Sequence, residues 1–259
     1  MRLRNSFLAG LTSLVALADV AISTSALEHA EKRDGIRKDT TPQLKNWGVV
    51  LFRAFDGQDI FGPLDALQLL AFQRQMNLYL IAETLDPVTS EPTSAAMNSR
   101  NSSFWPVILP THTFAAAPEL DVLLVPGGAG VRAPNVKNIT DFIADRYESL
   151  EYLITVCTGA GLAAKAGVLD GRRATTNKSA WSTVTAWGPN VNWIRQARWV
   201  VDGNIWTGAG VTAGLDLTFA FITEMFGYEQ SHRIATLMEY IPNTNSSNDP
   251  FGATLNLAS

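Results

Sequence analysis

The chain has 259 residues, of which 46% are apolar and 17% charged, and its net charge is −4. That length buries a full single-domain core, and the composition is ordinary for a globular protein. The acidic balance, with no Lys/Arg run, excludes the basic patch that a nucleic-acid-binding surface needs.

The N-terminus reads as an address. Met1-Arg-Leu-Arg4 is a short basic start, and Phe7 to Ala18 is mostly apolar but too short to cross a bilayer. Thr24 and Ala26 suit the −3 and −1 positions of a signal-peptidase site, although Asp19 is a charge out of place near the end of the apolar run. The pattern predicts a secretory signal peptide over 1–26, with Lys32-Arg33 as a dibasic site ending a short pro-segment at 33. An exported chain with one cysteine forms no internal disulfide and carries a free thiol into an oxidising compartment. Export also makes the four N-x-[ST] positions glycosylation candidates: Asn101, Asn138, Asn177 and Asn245. No later segment is long and apolar enough to span a membrane, so no membrane association is expected once the signal is removed.

Beyond it, strands alternate with helices. Trp47 to Phe52 predicts a first buried strand, and Gly62-Pro63 predicts the opening of a helix that runs to about Arg74, with Pro63 in its first turn. Leu64, Leu67, Leu70 and Ala71 give that helix an apolar stripe. Asn77 to Glu83 predicts a second strand, and residues 86–106 a polar excursion with a hairpin at the sheet edge. Leu120 to Pro126 predicts a third core strand running into Gly127-Gly-Ala-Gly130, followed by a helix from Asn135 to about Tyr147. Glu151 to Val156 predicts the strand before Cys157, and the segment to about Ala166 a helix. Asp202-Gly-Asn204 predicts a hairpin turn between Ala197–Val201 and Ile205–Thr207. Helices over Thr212–Phe226, with Thr212 as N-cap, and over Glu229–Glu239 complete an α/β fold with a mostly parallel sheet covered on both faces. The domain is expected over 45–242, with a C-terminal tail over 243–259.

Sites in such sheets lie beyond the carboxyl ends of the strands, where Gly127-Gly128 and Cys157 both fall. A thiol at a sharp strand-to-helix turn faces backbone N–H groups of the helix start, which favours thiolate over thiol. It is the sulfur counterpart of a serine nucleophile elbow. Donors for an anion formed on attack are available in the Gly128 and Thr158 N–H groups. The proton-transfer partner is less obvious. His29 lies in the expected removed segment, and neither His112 nor His232 has a distinguishing neighbourhood. Asp59, in Asp56-Gly-Gln-Asp-Ile-Phe-Gly-Pro63, sits on the same rim as Cys157, with Asp56 and Asp65 as competitors and a helix-cap role as the plainer reading.

Six ordered blocks settle the choice: Gln58-Asp-Ile-Phe-Gly-Pro63, Leu124-Val-Pro-Gly-Gly-Ala-Gly130, Thr155-Val-Cys-Thr-Gly159, Ala166-Gly-Val-Leu-Asp-Gly-Arg-Arg-Ala-Thr-Thr176, Thr207-Gly-Ala-Gly-Val-Thr-Ala-Gly-Leu-Asp216 and Glu239-Tyr-Ile-Pro242. With them the chain resembles the DJ-1/PfpI superfamily (class I glutamine amidotransferase-like), and within it the isocyanide hydratase-like branch. The resemblance implies a flavodoxin-like three-layer α/β sandwich, a homodimer, a small-molecule substrate, and neither cofactor nor metal. It implies that Cys157 is the nucleophile, Asp59 the proton-transfer carboxylate, Thr158 the threonine beside the thiol, and Gly128 a backbone donor. The implied activity is hydration of an isonitrile to an N-substituted formamide. One departure stands out: after Ala174-Thr-Thr176 the hydratase-like pattern has a His and an aromatic residue, where this chain has Asn177-Lys-Ser-Ala-Trp181. Glyoxalase or deglycase-type carbonyl chemistry at the same thiol, and a non-catalytic redox-sensing or ligand-binding protein, are the alternatives the superfamily offers.

Overall fold

The computed structural model describes residues 43–254. The expected signal peptide over 1–26, the pro-segment to 33, His29 and the last five residues of the tail lie outside the described residues. The strands are β1 (Asn46–Val50), β2 (Asn77–Ala82), β3 (Val88–Thr89), β4 (Val107–Ile108), β5 (His112–Thr113), β6 (Val122–Val125), β7 (Tyr152–Val156), β8 (Arg173–Ala174), β9 (Asn192–Trp193), β10 (Trp199–Asp202) and β11 (Ile205–Gly208). The helices are α1 (Gly57–Ala71), α2 (Lys137–Tyr147), α3 (Gly159–Lys165), α4 (Trp181–Thr185), α5 (Ala213–Phe226), α6 (Tyr228–Leu237) and α7 (Phe251–Thr254).

Seven strands form the main sheet in the order β10-β11-β7-β6-β1-β2-β5, parallel except for the β10–β11 hairpin. The inner strands are apolar runs rather than alternating ones because helices cover both their faces. Val49, Leu123, Leu124, Leu153, Ile154 and Ile205 are all buried in one continuous core, and each such side chain stabilises the fold by about 1.5–3 kcal/mol. Helices α1, α5 and α6 pack on one another, and α2 packs on α3. The result is the flavodoxin-like sandwich expected from the sequence. The chain leaves β1 in one direction to β2 and in the other to β6, so a crevice opens between the loops after β1 and β6.

Three local expectations are corrected. Helix α1 begins at Gly57 rather than at Pro63, because the Asp56 side chain caps it by accepting the Gln58 N–H at 3.1 Å. Pro63 therefore lies within the helix. The hairpin of the polar excursion, β3 with β4, is a separate two-stranded ribbon; β5 is the edge of the main sheet. Thr212 does not cap α5 with its side chain, and its Oγ1 instead accepts from Arg198 at 3.2 Å.

The segment after Pro242 is fastened to the domain. Arg198 N–H donates to the Ser246 carbonyl at 2.6 Å, Gln196 Nε2 to the Asp249 carbonyl at 2.8 Å, and Arg195 Nε to the Gly252 carbonyl at 3.0 Å. Asp249 is buried, with Oδ2 3.1 Å from Lys178 Nζ.

Candidate active site

Cys157 closes β7 and stands two residues before α3. Its φ is +58°, in the left-handed region that costs a non-glycine residue about 1–2 kcal/mol. The backbone is held there from both sides. The Cys157 N–H donates to the Gly208 carbonyl at 3.1 Å, and Thr176 Oγ1 donates to the Cys157 carbonyl at 2.8 Å. Such a residue persists only where its surroundings over-determine it.

Asp59 lies in the first turn of α1, wholly buried, and Oδ2 accepts the Gly127 N–H at 2.9 Å. Oδ1 has no hydrogen-bond partner of regular geometry. Burial above all, and then the neighbouring Asp56 charge, push this carboxyl up from 3.8 to about 7; the Gly127 N–H and the Cys157 thiol pull the other way. The loop after β6 approaches so closely that it must be glycine. A Cβ on Gly127 would lie 2.6 Å from both the Thr158 nitrogen and Thr158 Oγ1, and 2.9 Å from Asp59 Oδ2. Gly128 has φ +133°, a conformation that glycine alone adopts readily.

The structure thus brings Cys157, Asp59, Thr158 and Gly128 to one crevice. Two details differ from expectation. The thiol is not poised as a thiolate: burial first, then the Asp59 and Asp56 charges, raise it far above the ordinary value, against the pull of the Thr158 N–H and the Asn177 amide. A short helix behind a buried cysteine does not outweigh desolvation and two carboxylates. Gly128 N–H is also not a free anion donor, because it donates to Thr158 Oγ1 at 2.9 Å.

The competitors of Asp59 fall away. Asp56 caps α1, and Asp65 is exposed on it. His112 sits on edge strand β5 with Nδ1 3.0 Å from Thr111 Oγ1. His232 is exposed on α6 and stacked on Tyr228. Among the glycosylation candidates, Asn101 and Asn245 are exposed, and Asn138 is exposed with Nδ2 donating to Glu83 Oε1 at 2.6 Å. Asn177 is corrected as a glycan site: it is half-buried and its Nδ2, the atom a glycan would take, donates to Cys157 Sγ at 3.2 Å. That contact is hidden in the sequence. Its only signal was a polar residue where the resembling pattern has histidine.

A cavity of about 210 Å³ lies on the Asn177 side, walled also by Lys178, Arg198, Val211, Thr212 and Phe251. A larger groove of about 670 Å³ runs along α1 and β2 and contains neither Cys157 nor Asp59. Among the described residues no group of three or more His, Cys, Asp or Glu is placed to hold a metal ion, and no helix is long and apolar enough to cross a membrane.

A lone thiol on a strained turn at the end of a parallel strand, backed by a glycine loop, defines a nucleophile-elbow α/β protein. The chain belongs to the DJ-1/PfpI family, whose pattern matches residues 49–224. It is 34% identical over 197 residues to an isonitrile hydratase of Pseudomonas putida, covering 75% of this chain and 78% of that one. The solved structure of a ThiJ/PfpI family protein from Pseudomonas syringae superposes with a TM-score of 0.65 at 30% identity, covering 79% of each chain. Drosophila melanogaster DJ-1beta shares the fold with a TM-score of 0.58 at 19% identity, covering 76% of this chain and 99% of that one.

Proposed function

We propose that the protein is a cysteine-dependent hydratase of small electrophilic molecules that converts isonitriles to N-substituted formamides. The observation that carries this reading is Asp59, a fully buried carboxyl that acts on the Cys157 thiol and is raised to about 7, so that it can take and return a proton near neutral pH. The similarity to an isonitrile hydratase supports the choice of substrate.

Asp59 takes the thiol proton as sulfur attacks the terminal carbon of R–N≡C. It then delivers that proton to the same carbon, leaving the thioimidate R–N=CH–S–Cys157. Water adds to this carbon, one of its protons passing to nitrogen. The C–S bond breaks as the second proton is withdrawn, R–NH–CHO departs, and the proton returns to sulfur through Asp59. One water is consumed and nothing is oxidised. Because the resting thiol is neutral, proton removal and attack have to be coupled, which is what a carboxylate beside the sulfur provides. The same burial weighs against a redox sensor, whose thiol is exposed and ionised.

Incubation with cyclohexyl isocyanide, followed by formamide production, tests the assignment. Wild type should turn over, and Cys157→Ala should abolish it. An inactive wild type that consumes methylglyoxal would move the reading to glyoxalase-type chemistry. The proposal extends to an exported homodimer. N-terminal sequencing of the native protein should find residues 1–26 removed, and sedimentation should give twice the mass of the processed chain.

A further inference from the structure

Asn177 is the one side chain at the sulfur that the proton-transfer scheme leaves without a role. Its Nδ2 donates to Sγ at 3.2 Å. The amide cannot be turned round, because Oδ1 accepts the Ser179 N–H at 2.9 Å, the Ala180 N–H at 3.2 Å and Ser179 Oγ at 2.6 Å. Two of those three donors are backbone N–H groups, which only the oxygen end can receive.

The segment carrying Asn177 is rigid on both sides. Thr176 on one side holds the Cys157 carbonyl. Lys178 on the other donates to Thr175 Oγ1 and the Ala197 carbonyl, each at 2.9 Å, and pairs with buried Asp249. Elsewhere in the crevice, donors are spent: Gly127 N–H on Asp59 and Gly128 N–H on Thr158. The charged groups acting on the thiol, Asp59 and Asp56, are both negative.

We infer that Asn177 is a catalytic donor whose fixed amide carries the negative charge that gathers on Cys157 sulfur whenever the proton leaves it. It does so when Asp59 activates the thiol and again when the C–S bond of the adduct breaks; only the second of these rests on the hydratase reading. Asn177 gives a hydrogen bond and loses no proton. With the Thr158 N–H it forms a two-point cradle for the anion. The three hydrogen bonds on Oδ1 position that cradle before substrate arrives.

Two variants separate a donor from a structural residue. Asn177→Asp keeps an oxygen for Ser179 and Ala180 and replaces only the donor; Asn177→Ala removes both functions. The chain has one cysteine, so alkylation by iodoacetamide reads this site alone. At about pH 7 to 9, in protein whose fold is checked by circular dichroism, Asn177→Ala should alkylate on the order of ten- to a hundredfold more slowly than wild type. Asn177→Asp should be slower still. A structural role predicts the opposite order, with Asp rescuing what Ala loses. Alkylation of Asn177→Asp at the wild-type rate overturns the inference, as does that result in Asn177→Ala should the Asp variant not fold. Isonitrile turnover is read in parallel. The expected alkylation order in a protein that hydrates no isonitrile removes the hydratase reading and leaves Asn177 its role. Normal turnover and alkylation in Asn177→Asp remove the inference alone.

Discussion

Two ionisable clusters are buried a short distance apart along the chain's packing, and they are treated differently. Lys178 directs its three ammonium protons at Thr175 Oγ1, the Thr176 carbonyl and the Ala197 carbonyl, and Asp249 adds a countercharge at 3.1 Å. Burial lowers the lysine's affinity for its proton and Asp249 restores part of it, so this cluster is fixed. Asp59 has one backbone hydrogen bond, and the charge that acts on it, Asp56, is negative like its own. Its charge is uncompensated, so its proton stays mobile. A buried charge paired with its countercharge builds structure, whereas one set beside a like charge and a thiol becomes a proton carrier.

The sharpest way to break this contrast is Asp59→Asn. The amide cannot shuttle the proton, and turnover should fall by about 100- to 10,000-fold. The same change should stabilise the fold at high pH. Asp59 is raised in the folded chain, so the folded state holds its proton where the unfolded state has lost it. That contribution is complete below the unfolded value of 3.8 and is lost as pH rises through about 7. Chemical denaturation should therefore show Asp59→Asn gaining on wild type by about 2–3 kcal/mol between roughly pH 5 and 8. A gain that does not depend on pH would mean that Asp59 is ionised throughout. Wild-type kcat/KM should rise with pH and level off above about 7, and this slope should vanish in the variant.

The fixed cluster should respond in the opposite manner. Asp249→Leu leaves Lys178 buried with no countercharge and should cost about 3–5 kcal/mol, with no gain at any pH. Adding Lys178→Met should recover much of that loss, because an apolar pair needs no hydration. If Asp249→Leu left the melting temperature unchanged, the C-terminal segment would not be the anchor that its hydrogen bonds describe.

The sequence shows these two clusters unequally. The elbow is legible because Tyr152 to Val156 is a mostly apolar run, broken only by Thr155, that ends at a cysteine and three small residues, an order that suits a buried parallel strand meeting a helix. Asp59 is legible from its block, but its place in α1 is not. Gly62-Pro63 has the look of a helix start, whereas the true start depends on the Asp56 side chain reaching Gln58 N–H. The thiol's protonation is not legible because local sequence shows the helix behind the sulfur and not the two carboxylates, Asp56 and Asp59, that the fold carries in at the start of α1. Asn177 and Lys178–Asp249 are invisible for a related reason: each meets its partner only after distant segments close together. In the sequence, Asn177-Lys-Ser179 is a glycosylation sequon and a departure from the resembling pattern, and neither shows the contact with sulfur.

The smallest effect concerns Thr158, which stands between the two behaviours. Its Oγ1 accepts the Gly128 N–H at 2.9 Å and so withdraws from the crevice a donor that would otherwise face it. Thr158→Ser keeps this bond and should behave as wild type. Thr158→Val leaves the Gly128 N–H without its partner, at a cost of about 1–3 kcal/mol in unfolding free energy. If the Gly128 donor serves the loop's shape, Thr158→Val should lower stability while the kcat of the folded fraction stays near that of Thr158→Ser. A rise in thiol alkylation in Thr158→Val would instead mean that the freed N–H turns to the sulfur. The hydroxyl would then hold in reserve a third point of the cradle formed by Asn177 and the Thr158 N–H.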